Sequence, residues 1–362
     1  MAQSILIVKL SSLGDVIHTL PAAQALRRQF PDAHLAWAVE RAHAGVLRGL
    51  PVVDELIEWD RGTLRGLFDF VRRLRARRWD IAIDFQGLFR SALVTRLSGA
   101  PRRIGYAPSR ELAHLACNER VPAPTKTLHA VEKSLRLAEA TGASIAGFTR
   151  ATPSLFPLPI TLRERLAVDG WLNAHHFDPR HERLVVLNPH CRKEANIWPV
   201  ERFAALAGRL LDESPNVRIA LCGGQASKSL CDTIAAAAPE RILRADGMFS
   251  LLGSAELIRR AAVFVTGDTG PMHIAAAVGT PIVALFGPAD PVKTGPYTDR
   301  AVVLNKKLPC GPCFARKCPL GHDPPKCMTD IEVDEVLAAV RAELAAAPVP
   351  NEAPGRPLRR TA

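Results

Sequence analysis

The chain has 362 residues, 48% of them hydrophobic, with a mean hydropathy near zero. That composition suits an ordinary globular protein of two domains rather than one core, and no apolar run approaches the roughly 20 residues of a membrane-spanning helix. Lysine and arginine outnumber aspartate and glutamate 47 to 36, a net charge of +11 that calls for an anionic substrate, nucleic acid or acidic lipid as partner.

The opening MAQSILIVKL shows no basic region followed by a long apolar segment and a small-residue cleavage site, so the expected compartment is the cytoplasm. ILIVKL, residues 5–10, reads as a strand in which Ile5, Leu6, Ile7 and Val8 form a continuous apolar run of the kind covered on both faces. Ser11, Ser12 and Gly14 then supply a turn whose backbone can approach a ligand closely, and a helix is predicted over 16–28 with Asp15 at its start. In open α/β folds ligands sit at the carboxyl ends of strands, which places Asp15 for proton chemistry. The plainer reading is a first-turn acid complementing the helix dipole.

HLAWAV, ELIEW, DIAIDF and RRIGY read as further strands, with helices over 64–77 and 89–97, giving a βαβ rhythm. The 64–77 helix interleaves Arg65, Arg72, Arg73, Arg75 and Arg77 with Leu64, Leu67, Phe68, Phe70, Val71 and Leu74, and Arg78 follows it. This is a solvated basic face or, as the alternative, a helix lying on an anionic bilayer.

Residues 147–159 turn proline-rich and mark the crossing between domains. A second α/β series follows, with strands RLVVLNP, VRIALCGG, RILRA, AVFVTGD and PIVALFGP and helices over 200–211, 227–238, 251–261 and 271–278. The expected organisation is therefore an α/β chain with a Rossmann-like domain over 1–155, a second over 156–346, and a disordered tail over 347–362. The two parallel sheets are expected to face an interdomain cleft.

Within the second series a strand runs into Gly267, Asp268, Thr269 and Gly270, and a helix begins near Pro271. Proline at a first helical turn gives up no needed donor, and the free N–H groups there form a positive end suited to phosphate. Thr269 can donate its hydroxyl to a phosphate oxygen and His273 can add a second contact. As alternatives, Asp268 and Thr269 are helix caps and His273 is a core histidine.

Cys310, Cys313, Cys318 and Cys327 form a C-x2-C-x4-C-x8-C cluster with His322 inside it, while Cys117, Cys191, Cys222 and Cys231 are scattered. In a cytoplasmic protein the cluster reads as a structural metal site or as reduced thiols in a packed loop.

Four separated stretches carry a family resemblance: KLSSLGDVIHTLPAAQALRRQFPDAHLAWAVE, DFQGLFRSALVTRLSGAPRRIGY, HAVEK at 129–133, and VTGDTGPMHIAAAVGTPIVALFGPADP. Together they resemble the bacterial heptosyltransferases of glycosyltransferase family nine. The resemblance implies a GT-B enzyme that moves heptose, with inversion, from ADP-heptose to the lipid A-Kdo inner core of lipopolysaccharide. It implies the cytoplasmic face of the inner membrane as the place of work, with peripheral membrane contact, and the acid of the SSxGD motif, Asp15 here, as general base.

Ser11, Ser12, Gly14 and Gln86 are then acceptor-side candidates in the N-terminal domain. Arg192, Lys193, Asp268, Thr269, Gly270 and His273 are candidates for the nucleotide sugar in the C-terminal one. The chain has no DxD motif, consistent with the metal-independent, cofactor-free chemistry that the resemblance implies. One departure stands out: Asn196 occupies the position, two before Trp198, where family members commonly place lysine.

Two rival readings belong to other classes. A different sugar transferase or an epimerase on the same architecture would not need a lipid acceptor. A nucleic-acid binder would explain the charge, but 6% aromatic content and the lack of a recognisable module argue against it.

Overall fold

The computed structural model describes residues 3–123, 128–152 and 155–346, so the tail expected over 347–362 lies outside the described residues. Its first sheet is built by β1 (Ser4–Val8), α1 (Leu13–Gln29), β2 (His34–Glu40), β3 (Glu55–Trp59), α2 (Leu64–Arg75), β4 (Ile81–Asp84), α3 (Phe89–Leu97), β5 (Arg102–Ala107), β6 (Glu119–Pro122) and α4 (Ala130–Glu139). All its strands are parallel and lie in the order β3-β2-β1-β4-β5-β6. Every residue of β1 is buried, because β2 and β4 flank it and helices cover both faces: Ile5 pairs with Leu35 on one side and Ile81 on the other. One face of this sheet closes over Leu6, Val8, Ala36, Ile57, Phe70 and Leu74.

The second sheet follows through α5 (Leu162–Ala174), β7 (Arg183–Asn188), α6 (Val200–Glu213), β8 (Val217–Leu221), α7 (Lys228–Ala235), β9 (Ile242–Arg244), α8 (Leu251–Arg260), β10 (Val263–Gly267), α9 (Gly270–Val278), β11 (Ile282–Phe286), α10 (Pro291–Thr294), β12 (Ala301–Asn305), α11 (Lys326–Thr329) and α12 (Val333–Ala346). Its order, β12-β11-β10-β7-β8-β9, is again all parallel. Counted from the first strand of each, both sheets have the 3-2-1-4-5-6 order of a dinucleotide-type fold, with the strand order reversing between β1 and β4 and between β7 and β10. Those two reversals open the crevices where such sheets bind ligands.

The chain divides into two compact units. One holds Met1–Thr161 together with Thr269–Gly279 and Asp290–Asp299; the other holds Leu162–Asp268, Thr280–Ala289 and the chain from Arg300 on. Helix α9 thus counts with the first unit, where it packs on α1, although the strands before and after it belong to the second. Among the described residues no helix is long and apolar enough to cross a membrane.

Candidate active site

In the first unit the crevice between β1 and β4 is lined by the turn that leaves β1. The helix starts three residues earlier than its periodicity suggests, so Asp15 lies inside the first turn of α1, at its third position. Its Oδ2 accepts hydrogen bonds from the Ser12 amide (3.1 Å) and the Ser12 hydroxyl (2.8 Å). Its Oδ1 faces Lys9 Nζ at 3.8 Å. The carboxylate remains about half-exposed. Burial works to raise its pKa, but the Lys9 ammonium and the two Ser12 bonds outweigh this and hold it below the ordinary carboxylate value. Asp15 is therefore ionised throughout the neutral range.

Gln86, on the loop after β4, fixes this turn from the neighbouring strand: its Oε1 accepts from the amides of Leu10 (2.8 Å) and Ser11 (3.2 Å). Behind it, the buried Asp84 accepts from the Gln86 and Gly87 amides at 2.9 Å and from the Ser91 hydroxyl at 3.0 Å. Lys9 is buried and donates to the Phe85 carbonyl at 3.1 Å, so its charge is anchored under the turn.

Three histidines back the same turn. His18 Nε2 and His273 Nδ1 are 3.0 Å apart, and the His18 ring meets His129 edge to face with centroids 5.2 Å apart. His129 caps α4, accepting the Val131 amide at Nδ1 and donating from Nε2 to the Gly295 carbonyl, each at 3.1 Å. Burial drives all three toward the neutral form: His129 and His273 fall to about 4, and His18 lies well below its ordinary value.

His18 Nδ1 has no hydrogen-bond partner among the described residues. An orphaned N–H there would cost more than an orphaned lone pair, so His18 carries its proton on Nε2 and donates to His273. His273 then keeps its own proton on Nε2, at the ring edge that lies over Gly14: a Cβ at Gly14 would stand 2.4 Å from His273 Cδ2 and 2.8 Å from Nε2. His273 is thus packed between His18 on one ring edge and Gly14 on the other.

The second unit's crevice, between β7 and β10, is bordered by the loop carrying Arg192 and Lys193 and by Asp268 at the end of β10. Asn196 is 2% exposed and donates from Nδ2 to both the Asp268 carbonyl (3.1 Å) and Asp268 Oδ2 (3.2 Å), while its own Oδ1 has no partner among the described residues. The approach is close: a Cβ on Gly267 would meet the Asn196 carbonyl and Cys191 Sγ at 2.7 Å. Thr269 stands at the N-cap of α9 in an extended conformation, yet its side chain makes no cap bond, and Pro271 occupies the first turn. The structure thus brings Asp15, Ser12, Gly14, Gln86, Thr269, Gly270 and His273 into the first unit and Arg192, Lys193 and Asp268 into the second.

Sequence reasoning gave no role to Lys9, His18 or His129. A lone lysine inside an apolar strand was the available signal for the first; nothing local distinguishes the histidines.

The clustered cysteines lie in the second unit. Cys310 and Cys313 are exposed, Cys318 and Cys327 partly buried, and all four are free thiols. With His322 they line a cavity of about 300 Å3. Burial, helped by the neighbouring thiols of Cys313, Cys310 and Cys318, pushes the Cys327 thiol up. Among the described residues no group of three or more His, Cys, Asp or Glu side chains is arranged to hold a metal ion.

Residues 67–323 match the model of Glycosyltransferase family 9 (heptosyltransferase). The chain belongs to that family. It is 30% identical to lipopolysaccharide heptosyltransferase 1 of Pseudomonas aeruginosa, over 94% of this chain and 98% of that one. The solved family 9 glycosyltransferase of Veillonella parvula superposes with a TM-score of 0.83 at 25% identity, covering 96% of this chain and 98% of its own. The E. coli ADP-heptose lipopolysaccharide heptosyltransferase II gives 0.74 at 25% identity, over 95% and 99%. The family 9 chain is accordingly a glycosyltransferase of GT-B architecture, and the SSxGD turn and the GDTG turn lie at the two sheet reversals.

Proposed function

We propose that the chain transfers heptose from ADP-heptose to the lipid A-Kdo inner core of lipopolysaccharide, with inversion, working peripherally at the cytoplasmic face of the inner membrane. The observation that carries this reading is Asp15: a half-exposed carboxylate at the β1/β4 crevice, kept ionised by Lys9 and Ser12, in a family 9 chain.

In the proposed step the acceptor hydroxyl oxygen bonds to the anomeric carbon while the bond from that carbon to the diphosphate oxygen breaks. ADP departs with the electron pair, and the hydroxyl proton passes to Asp15. Oδ1, the oxygen without a Ser12 bond, is the natural acceptor of that proton. A carboxylate held below its ordinary pKa is a weak base, but the acceptor oxygen becomes strongly acidic once bonded to the anomeric carbon, so a late proton transfer suffices.

The first unit takes the acceptor, with Ser11, Ser12, Gly14 and Gln86 shaping the turn. Arg192, Lys193 and Asp268, with Thr269 and Gly270 following in the chain and His273 as an Nε2–H donor, are assigned to the nucleotide sugar. Backbone N–H groups at the start of α9 and the two basic side chains stabilise the departing ADP without a divalent ion.

The test is ADP release from ADP-heptose by the purified chain, with and without heptose-deficient lipopolysaccharide. Release that depends on the acceptor is expected. ADP release that ignores the acceptor would contradict the proposal and favour a hydrolase; conversion of ADP-heptose with no ADP released would favour an epimerase.

A further inference from the structure

Eight of the chain's eleven excess positive charges fall between residues 61 and 115, where twelve arginines face four acids. The same stretch carries an unusual share of exposed apolar side chains. On α2 the apolar stripe is wider than the core can cover. Phe70 and Leu74 are buried, Phe70 stacking on Trp59, whereas Leu64 and Phe68, one turn apart on the same side, are 87% and 71% exposed. Arg65 and Arg72 border them, largely exposed, and share the single acid Asp69 at 4.0 and 3.1 Å.

Helix α3 continues the surface with Phe89 and Leu93, again one turn apart and exposed, followed by the exposed Arg96. The short 3-10 turn Arg110–Ala116 adds Leu112 and Leu115, also exposed. Leu112 is held at φ 55°, a conformation unfavourable for a leucine, with its side chain in solvent.

These elements adjoin one another. Arg75 of α2 donates to the Leu97 carbonyl at the end of α3, and the Phe89 amide at the start of α3 donates to Glu111 of the 3-10 turn. Both helices run back from the carboxyl edge of the same parallel sheet, so Leu64 and Phe89 stand at the edge that also carries the Ser11–Asp15 turn.

We infer that the face formed by α2, α3 and the Arg110–Ala116 turn is the surface by which this chain docks on an anionic lipid bilayer. Leu64, Phe68, Phe89 and Leu112 enter the headgroup boundary while the flanking arginines meet lipid phosphates. Two chemistries on one surface argue for this partner. A polar ligand would leave the leucines and phenylalanines unused, and an uncharged apolar partner would desolvate the arginines without adding a counter-charge beyond Asp69. The inference deepens the proposed function, whose acceptor is lipid-anchored, but its test needs no acceptor.

The full chain is sedimented with vesicles of equal parts phosphatidylcholine and phosphatidylglycerol, and with vesicles of phosphatidylcholine alone. Binding to the anionic vesicles only, weakened by salt, is expected. The double variant Leu64→Ser, Phe68→Ser and the charge variant Arg65→Glu, Arg72→Glu are each expected to bind at least about tenfold more weakly. All four sites are exposed, so melting temperature and transfer to a soluble, deacylated acceptor should stay at the wild-type level. Failure to bind, equal binding to neutral vesicles, or wild-type binding by both variants would overturn the inference. So would a dimer that dissociates on Phe68→Ser, which would assign the face to a second copy. If vesicle binding fails while acceptor-dependent transfer persists, the docking surface falls and the proposed function stands.

Discussion

The two strand-to-helix turns border the reversals of strand order from opposite sides, after the first strand of one sheet (β1) and after the fourth of the other (β10), and they hold their acids in different ways. Asp15 lies within its helix and is bound by a serine three residues before it and by the strand's own lysine. Asp268 precedes its helix and is gripped by Asn196, a residue 72 positions away. The first arrangement is local and leaves one carboxylate oxygen free of Ser12, as a proton acceptor requires. The second immobilises main chain and side chain together, as a binding loop requires. Acids on the two sides of such a reversal are thus suited to different tasks according to what anchors them.

Removing the acid of the first turn is the strongest way to break this comparison. Asp15→Ala is expected to lower kcat by about 100-fold to 10,000-fold, the usual contribution of a positioned base. A loss below tenfold in steady-state kinetics would make Asp15 a helix cap and no more.

The packing of Gly14 against His273 sharpens the first turn further. Gly14→Ala places a methyl group inside the imidazole's contact distance. It should destabilise the fold by about 1–3 kcal/mol through overpacking, measured by urea unfolding, and lower kcat alongside. Unchanged stability would mean that His273 moves away freely.

The buried histidines give the first unit a pH signature. His129 and His273 titrate at about 4 when folded, against about 6.5 unfolded. As pH falls below the unfolded value, the unfolded chain binds protons first. The stability due to the neutral histidines is present above about pH 6.5 and is lost as pH falls toward 4. The thermal midpoint should drop over that window, and His129→Asn should flatten the slope. A midpoint independent of pH there would contradict neutral burial.

The smallest effects concern the ions and thiols of the second unit. EDTA should leave transfer unchanged, since basic side chains and the α9 terminus are assigned the task of a metal; loss restored by a divalent ion would reverse that assignment. Cys310 and Cys313 should react quickly with a thiol reagent. Cys191, Cys222 and Cys231 should not, being buried with thiols pushed upward.

Both sheets were largely legible because their strands are covered on two faces and read as unbroken apolar runs. β6 and β12 escaped for the opposite reason. ERVP and AVVLN are edge strands with partly exposed residues, and the first ends in proline. Asp15 was legible because its turn is continuous in sequence. The histidine group was not, because His18, His129 and His273 meet only after folding, through contacts spanning up to 255 positions. Asn196 was visible as a departure from a family pattern, but its grip on Asp268 is tertiary.

The division of labour between the turns is tested most directly by calorimetric titration of ADP-heptose into Asp15→Ala and Asp268→Ala side by side. The account predicts donor affinity within a few-fold of wild type for the first and a loss of about tenfold or more for the second, the worth of a hydrogen-bonded charge. Equal loss in both, or loss in Asp15→Ala alone, would contradict it.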